Sequence, residues 1–275
     1  MTFEAFRTMP HRLGWKHEYW DGMARLSPAW TANLTLAYPL RHHRYWRSRN
    51  SPPVPLGGLH IRRVRPADFD GLLQLHLVAF DDAVEYAGYP EDVYRDRTAV
   101  HIETFFGGPA FGRSRRGDPP GIPEHSFVAV DPMADDLAAA LLVRNDRDLF
   151  DDERYPTIAP VMVRSRYRRR FLATALFTAA ADSLAATAGV DELRSHCQLS
   201  NTASIAWHRR VGFCEVPTSH VAGHRAGHHF HMADHHAAAG RADLAALHRE
   251  VARAQRQLHD VCQESEMERY RRQAE

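Results

Sequence analysis

Apolar and polar positions along this chain fall into two periods, and the change from one to the other marks its elements. Residues 16–20 and 23–26 alternate on either side of Asp21-Gly22, a two-residue turn signal that predicts a β-hairpin. Lys16, Glu18 and Trp20 share one face of it, and His17, Tyr19 and Asp21 the other. The hairpin is expected to add strands or cover a sheet edge. A basic and aromatic run follows, Arg41-His42-His43-Arg44-Tyr45-Trp46-Arg47, expected to pack its aromatics on the main domain. The Pro/Gly-rich residues 51–58 read as a linker. Residues 59–64 then read as a strand. Residues 68–80 read as a helix carrying Phe69, Leu72, Leu73, Leu75, His76 and Ala79 at helical spacing.

A second helix is predicted over 94–106, closed by Gly107-Gly108 and followed by a long loop over 107–125. Strands are predicted over 126–130 and 137–143, then an acidic connection over 145–153. Residues 157–163 form an apolar run suited to a buried strand. Residues 172–188 lack Gly and Pro and have high helix propensity. A strand over 192–198, a helix over 201–211 and a strand over 213–216 complete the pattern. From 241 to 272 the chain reads as a helix. Its residues Leu244, Leu247, Val251, Ala254, Leu258 and Val261 recur at three and four, a short heptad seam. That seam has two uses, pairing two chains into a homodimer or packing on the core.

The joint between 157–163 and 172–188 carries chemistry. Arg164, Arg166, Arg168, Arg169 and Arg170 crowd the residues just before Phe171. They sit between a strand end and a helix start. A helix start offers unpaired N–H groups and a partial positive charge, so the turn favours phosphate or pyrophosphate.

The same stretch resembles the acyl-CoA-binding core of the GNAT superfamily of N-acetyltransferases. That family's turn is Arg/Gln-x-x-Gly-x-Gly/Ala after a strand; Arg168-Arg169-Arg170-Phe171-Leu172-Ala173 matches its first and last positions, with Phe171 in place of glycine. Residues 201–213, from Asn201 through His208 to Gly212-Phe213, resemble the family's later motif, with His208 where the family often has tyrosine. The resemblance covers residues 60–216. It implies an α/β (α+β) fold, a mixed and mostly antiparallel sheet with helices on both faces. Two central parallel strands, here 157–163 and 192–198, would splay to admit the pantetheine of acetyl-CoA or another acyl-CoA. Backbone groups of Met162 and Val163 would bond the pantetheine. Arg168 opens the motif, and amides of Arg169, Arg170, Phe171, Leu172, Ala173 and Thr174 would hold the pyrophosphate. Asn201 would bond the pantetheine arm. His208 would protonate the leaving thiolate, since imidazole has an ordinary pKa near ~6.5. The plain alternative for His208 is a helix-surface histidine. No carboxylate lies on 157–163, so Glu153 is the nearest candidate base, with water as its substitute. The acidic sets Asp81/Asp82/Glu85 and Asp151/Asp152/Glu153 could attract a cationic amine.

Composition narrows the partners. At 275 residues the net charge is +1, which argues against nucleic acid as a partner. Lys16 is the only lysine, so part of the arginine content reflects a chain-wide bias. Three widely spaced cysteines, Cys197, Cys214 and Cys262, argue against a disulfide framework and for a reducing compartment, hence a cytoplasmic protein. No apolar stretch is long enough to span a membrane, and residues 1–12 lack a signal-peptide core. Residues 220–236 hold seven histidines; without Cys-x-x-Cys spacing they read as a surface hairpin or disordered turn, and no metal is expected.

These readings divide the chain into an N-terminal segment (1–58), a GNAT-like acyltransferase domain (59–236) and a C-terminal helix (237–275). The expected function is transfer of an acetyl or acyl group from acyl-CoA to an amine on a small molecule or protein. Two alternatives remain: a catalytically silent acyl-CoA-binding protein of the same fold, and a nucleic-acid binder using the arginine-aromatic stretches.

Overall fold

The computed structural model describes residues 1–29, 32–50, 57–81, 90–107, 121–134, 136–147 and 153–274. Asp82, Glu85, Asp151, Asp152, the linker residues 51–56 and most of the predicted 107–125 loop lie outside them. The elements run α1 (Phe3–Arg7), β1 (Trp15–Trp20), β2 (Met23–Pro28), β3 (Asn33–Pro39), α2 (His43–Asn50), β4 (His60–Arg63), α3 (Phe69–Ala79) and α4 (Glu91–Phe105). They continue β5 (Phe127–Asp131), β6 (Asp136–Arg147), β7 (Arg154–Val163), α5 (Leu172–Ala185), β8 (Glu192–Gln198), α6 (Thr202–Arg210), β9 (Cys214–Val216), α7 (Ser219–Ala238) and α8 (Ala242–Ala274).

Seven strands form one sheet in the order β4-β5-β6-β7-β8-β3-β9. The pairs β4/β5, β5/β6 and β6/β7 are antiparallel, and β7/β8 is parallel. The mixed, mostly antiparallel sheet flanked by helices is the fold class expected from the sequence. Strand β3 is the strand the sequence reading leaves unassigned, and the helices α1 and α2 are unassigned there too. The signal of β3 is the alternation Leu34, Leu36, Tyr38, all buried, with exposed Asn33 and half-buried Thr35 and Ala37 between.

By contact, the described residues group into two compact units: residues 36–196 with 208–214, and residues 1–35 with 197–207 and 215–275. In the first, Leu72, Leu75, Ile102 and Phe105 of α3 and α4 pack on Val128, Ala140, Leu142 and Met162. Helix α5 covers the other face with Leu176, Phe177, Ala180 and Leu184, all buried. The basic and aromatic run becomes α2. Its Trp46 stands edge-on to Phe177, with ring centroids 5.6 Å apart, and His43 is buried between Tyr38 and Asp182. His43 and Trp46 therefore pack inward, as expected, while Tyr45 stays exposed.

In the second unit, the hairpin forms as expected, with Trp20 opposite Met23. Asp21 and Gly22 take φ of 45° and 78°, both positive as a type I′ turn requires. The histidine run is a correction. Instead of a surface hairpin or disordered turn, it lies within the single helix α7, capped by the Thr218 side chain. Histidine has middling helix propensity, so packing on both sides decides the outcome.

Of the two uses expected for the C-terminal seam, packing on the core is not the one its outer residues serve. Helix α8 turns Ala245, Ala252 and Glu266 inward, while Leu244, Leu247 and Val261 stay exposed. The α7–α8 gap is narrow: a Cβ on Gly223 would lie 3.0 Å from the His259 ring, so small and polar residues fill it. Glu266 accepts from the Ser219 N–H and hydroxyl at 2.9 and 2.5 Å, placing a carboxylate at the positive start of α7. No described helix is long and apolar enough to cross a membrane.

Candidate active site

The site is built where β7 leaves β8. The two strands pair in parallel at Thr157↔Arg194 and Ile158↔Ser195. On its other edge β7 pairs with β6, Val143↔Ile158 below and Leu141↔Val161 above. Ala159 and Pro160 thus face the single residue Leu142, which is a β-bulge. A bulge bends its strand, and Pro160 has no N–H to offer a neighbour. So β7 turns away from β8 just beyond the Ile158–Ser195 rung. Val161, Met162 and Val163 stay paired to β6, with the Met162 side chain in the core. Their free strand edge faces the opening.

At the carboxyl end of β7 the arginine turn divides into two groups. Arg164 is structural: Nε donates to Leu137 O at 2.8 Å, and the guanidinium pairs with Asp136 at 2.6 Å. Arg168 reaches Ala79 O at 2.8 Å and so ties the turn to the end of α3. The Tyr167 hydroxyl donates to Asp131, and the Arg166 guanidinium lies over the Tyr167 ring at 4.8 Å. Arg169 and Arg170 are exposed.

Arg169 and Phe171 take φ of 63° and 60°. Phe171 thus adopts a glycine-like backbone where the resembled motif has glycine, and its ring points outward, half exposed. Helix α5 begins with no side-chain cap and no acidic residue in its first turn. The first-turn N–H groups of Leu172 and Ala173 have no intrahelical acceptor, as at any helix start, which favours an anion there. The left-handed backbone at a non-glycine residue costs about 1–2 kcal/mol. Phe171→Gly should therefore raise unfolding free energy by roughly 0.5–1 kcal/mol, the remainder after glycine's extra entropy, without weakening CoA binding. Urea unfolding reads this directly; a Gly variant less stable than its parent would refute the strained-turn reading.

His208 is not a helix-surface histidine. It is 4% exposed, and its Nε2 lies 2.8 Å from the Ser195 hydroxyl. Ser195 belongs to the last rung before the strands part, so the imidazole sits at the vertex of the opening. Phe213 packs edge-on against its ring at 5.0 Å. Asn201 belongs to the other unit, where its Oδ1 accepts from Ser204 N at 3.0 Å and caps α6. Glu153 precedes β7, at the opposite end from the arginine turn. It lines a cavity of about 510 Å³ with His125, Tyr155, Asp191 and Glu192, and accepts from the Tyr155 hydroxyl. At ~3.3 Å per residue, about 16 Å of strand separates it from Ile158. The structure thus gathers Met162, Val163, residues 168–174 and His208 around one strand opening. It sets Glu153 apart. Ser195, which orients His208, carries no sequence signal of its own. Among the described residues, no group of three or more His, Cys, Asp or Glu is placed to hold a metal ion.

The model of the acetyltransferase (GNAT) family matches residues 100–213. No curated protein sequence matches the chain. Among solved structures, a possible acetyltransferase from Clostridium difficile 630 is similar at 16% identity and TM-score 0.39, over 55% of this chain and 87% of that one. A GCN5-related N-acetyltransferase from Sphaerobacter thermophilus is similar at 19% identity and TM-score 0.39, over 67% of this chain and 48% of that one. An aminoglycoside N-acetyltransferase, AAC(6')-Iy, solved with CoA, is similar at 18% identity and TM-score 0.40, over 57% of this chain and 89% of that one. Residues 100–213, which hold the parting parallel strands and the helix-start turn, are thus similar to the acetyltransferase (GNAT) family.

Proposed function

We propose that this protein is an N-acyltransferase that moves an acetyl or acyl group from acyl-CoA to an amine. The observation that carries this is the parting of β7 from β8 beyond Ile158–Ser195, directly below an uncapped helix start. The backbone of Met162 and Val163 pairs with the pantetheine amides as a missing strand would. The amides of Arg169, Arg170, Phe171, Leu172, Ala173 and Thr174 take the pyrophosphate, with the side chains of Arg169 and Arg170 adding charge. Arg168 braces the turn from beneath. Asn201 bonds the pantetheine arm with its amide.

The amine attacks the thioester carbonyl, a tetrahedral oxyanion forms, and it collapses to amide and thiolate. His208, held by Ser195, gives the thiolate its proton. Glu153, Asp191 and Glu192 draw a cationic amine toward the cavity at the strand ends. Given the ~16 Å of strand between Glu153 and the vertex, Glu153 attracts the amine, and water takes its proton.

The catalytically silent reading has one observation in its favour, the engagement of His208 Nε2 by Ser195. Calorimetric titration with CoA at millimolar concentration tests the cofactor. Heat and a thermal shift are expected; neither appearing would remove the acyl-CoA site. Thiol release from acetyl-CoA over a panel of amines then separates an enzyme from a silent binder.

A further inference from the structure

The histidines of α7 do something the acyl-transfer reading does not use. Three of them, His224, His231 and His235, are spaced by seven and four and so share one helix face. That face holds the N-terminal residues 8–14 in order. His224 Nε2 accepts from the Gly14 N–H at 3.2 Å. The His231 ring stacks on His11 at 4.0 Å between centroids. His235 Nδ1 bonds Thr8 O at 2.8 Å, while Arg241 donates to its Nε2 at 2.9 Å. From the hairpin side, His17 Nε2 accepts from the Arg12 N–H at 3.2 Å, and its ring stacks on the other face of His11 at 4.0 Å. His11 is thus the middle of three stacked imidazoles. All of these residues belong to one compact unit.

This arrangement requires unprotonated rings. A backbone N–H can donate to Nε2 only while that nitrogen keeps its lone pair, so His17 and His224 must each be unprotonated at Nε2. Stacked imidazoles at 4.0 Å tolerate at most one charge before they repel. Among the described neighbours of His11, His17, His224 and His228, only a backbone hydrogen bond at Trp15 favours a charged ring, that of His17, and it is outweighed by burial. His11 faces His17, His231 and His228; His17 faces His231; His224 faces His17 and Arg225. His228 faces His229, His224, His248 of α8 and His17. The Arg225 guanidinium is itself bound by Glu215, and the Arg12 guanidinium stacks on Trp15 at 4.7 Å.

We propose that residues 1–14 form an acid-released strap, closed on α7 while these imidazoles are neutral and opened when they take up protons. The direction of titration agrees. Burial, then the neighbouring imidazoles, lower His11 from 6.5 to about 4, and the same causes bring His228 to about 4. Burial likewise lowers His17 and His224. Each group binds its proton more readily in the open state. The strap is therefore fully closed above about pH 6.5 and loses its hold as pH falls toward 4. Several protons enter together, so the opening is steeper than a single titration.

Hydrogen exchange of the Arg12 and Gly14 amides in the full chain reads the strap, expressed as protection factors at about pH 7.5 and about pH 4.5. The expected result is a loss of at least roughly tenfold at the lower pH, with α5 amides still protected. Equal protection of Arg12 and Gly14 at both pH values overturns the proposal. So does loss of protection in α5 and the strap together, which is general acid unfolding. A variant carrying His11→Phe, His17→Gln and His224→Gln keeps an aromatic ring against His231 and an acceptor for the Arg12 and Gly14 amides, but cannot titrate at those three positions. It should hold its protection at the lower pH. A variant that opens with acid as the parent does also overturns the proposal, and if it fails to fold the parent's profile decides alone.

Discussion

His208→Phe should lower turnover by roughly 10²–10⁴, the usual contribution of a positioned general acid, with little change in CoA affinity. Phenylalanine keeps the ring against Phe213 but removes the nitrogen at the vertex. It also strands the buried Ser195 hydroxyl, which should cost about 1–3 kcal/mol of folding stability. A second variant separates these effects. His208→Gln keeps a polar group toward Ser195 but supplies no comparable acid, so it should recover stability and not rate. Steady-state turnover on a responding amine, beside urea unfolding of each variant, is the measurement. If His208→Phe turns over as fast as the parent, the imidazole only braces Ser195, and solvent provides the proton.

Gly14→Ala should be strongly destabilising. Gly14 sits at φ +83°, and a Cβ there would lie 2.5 Å from Ser200 N and 2.7 Å from Leu199 C. Those are backbone atoms, with no rotamer to escape into. The left-handed backbone costs an L-residue about 1–2 kcal/mol, and forced overpacking about 1–3 more. A loss of about 2–5 kcal/mol is expected from the two together. Gly57 is the control: its φ is +55°, but nothing lies within 4 Å of its Cβ position. Gly57→Ala should lose only the backbone share, about 1–2 kcal/mol. Urea midpoints of the two variants decide; equal losses would mean that the approach to residues 199–200 is not tight. Gly14 is also the residue His224 holds, so the glycine serves both the loop contact and the strap.

The local elements were legible in the sequence because their causes are local. Alternation and an Asp-Gly turn fixed the hairpin, with Trp20 opposite Met23. Residues 192–198 form β8 over the predicted span, bounded by turns on both sides. An apolar strand, an arginine turn and an uninterrupted helix former placed the site at the joint of β7 and α5. Even the departure at Phe171 pointed to a position with glycine-like backbone, since the spacing to α5 does not depend on which residue fills it.

Long-range pairing decided the rest. Periodicity names a face but not its partner. Two heptad strips run side by side on α8, and the more apolar one reads as the seam; the gap beside α7 admits only the strip with Ala245 and Ala252. Residues 220–236 look like a polar turn because histidine has no strong preference of its own; only the residues packed on both sides of α7 make them a helix. Ser195 beneath His208 joins two elements that no sequence spacing relates. From the sequence alone came the fold class and the place of the arginine turn between β7 and α5. The vertex at Ile158–Ser195, the burial of His208, the separation of Glu153 and the strap on α7 came from tertiary structure, because each depends on which strand or helix lies next to which.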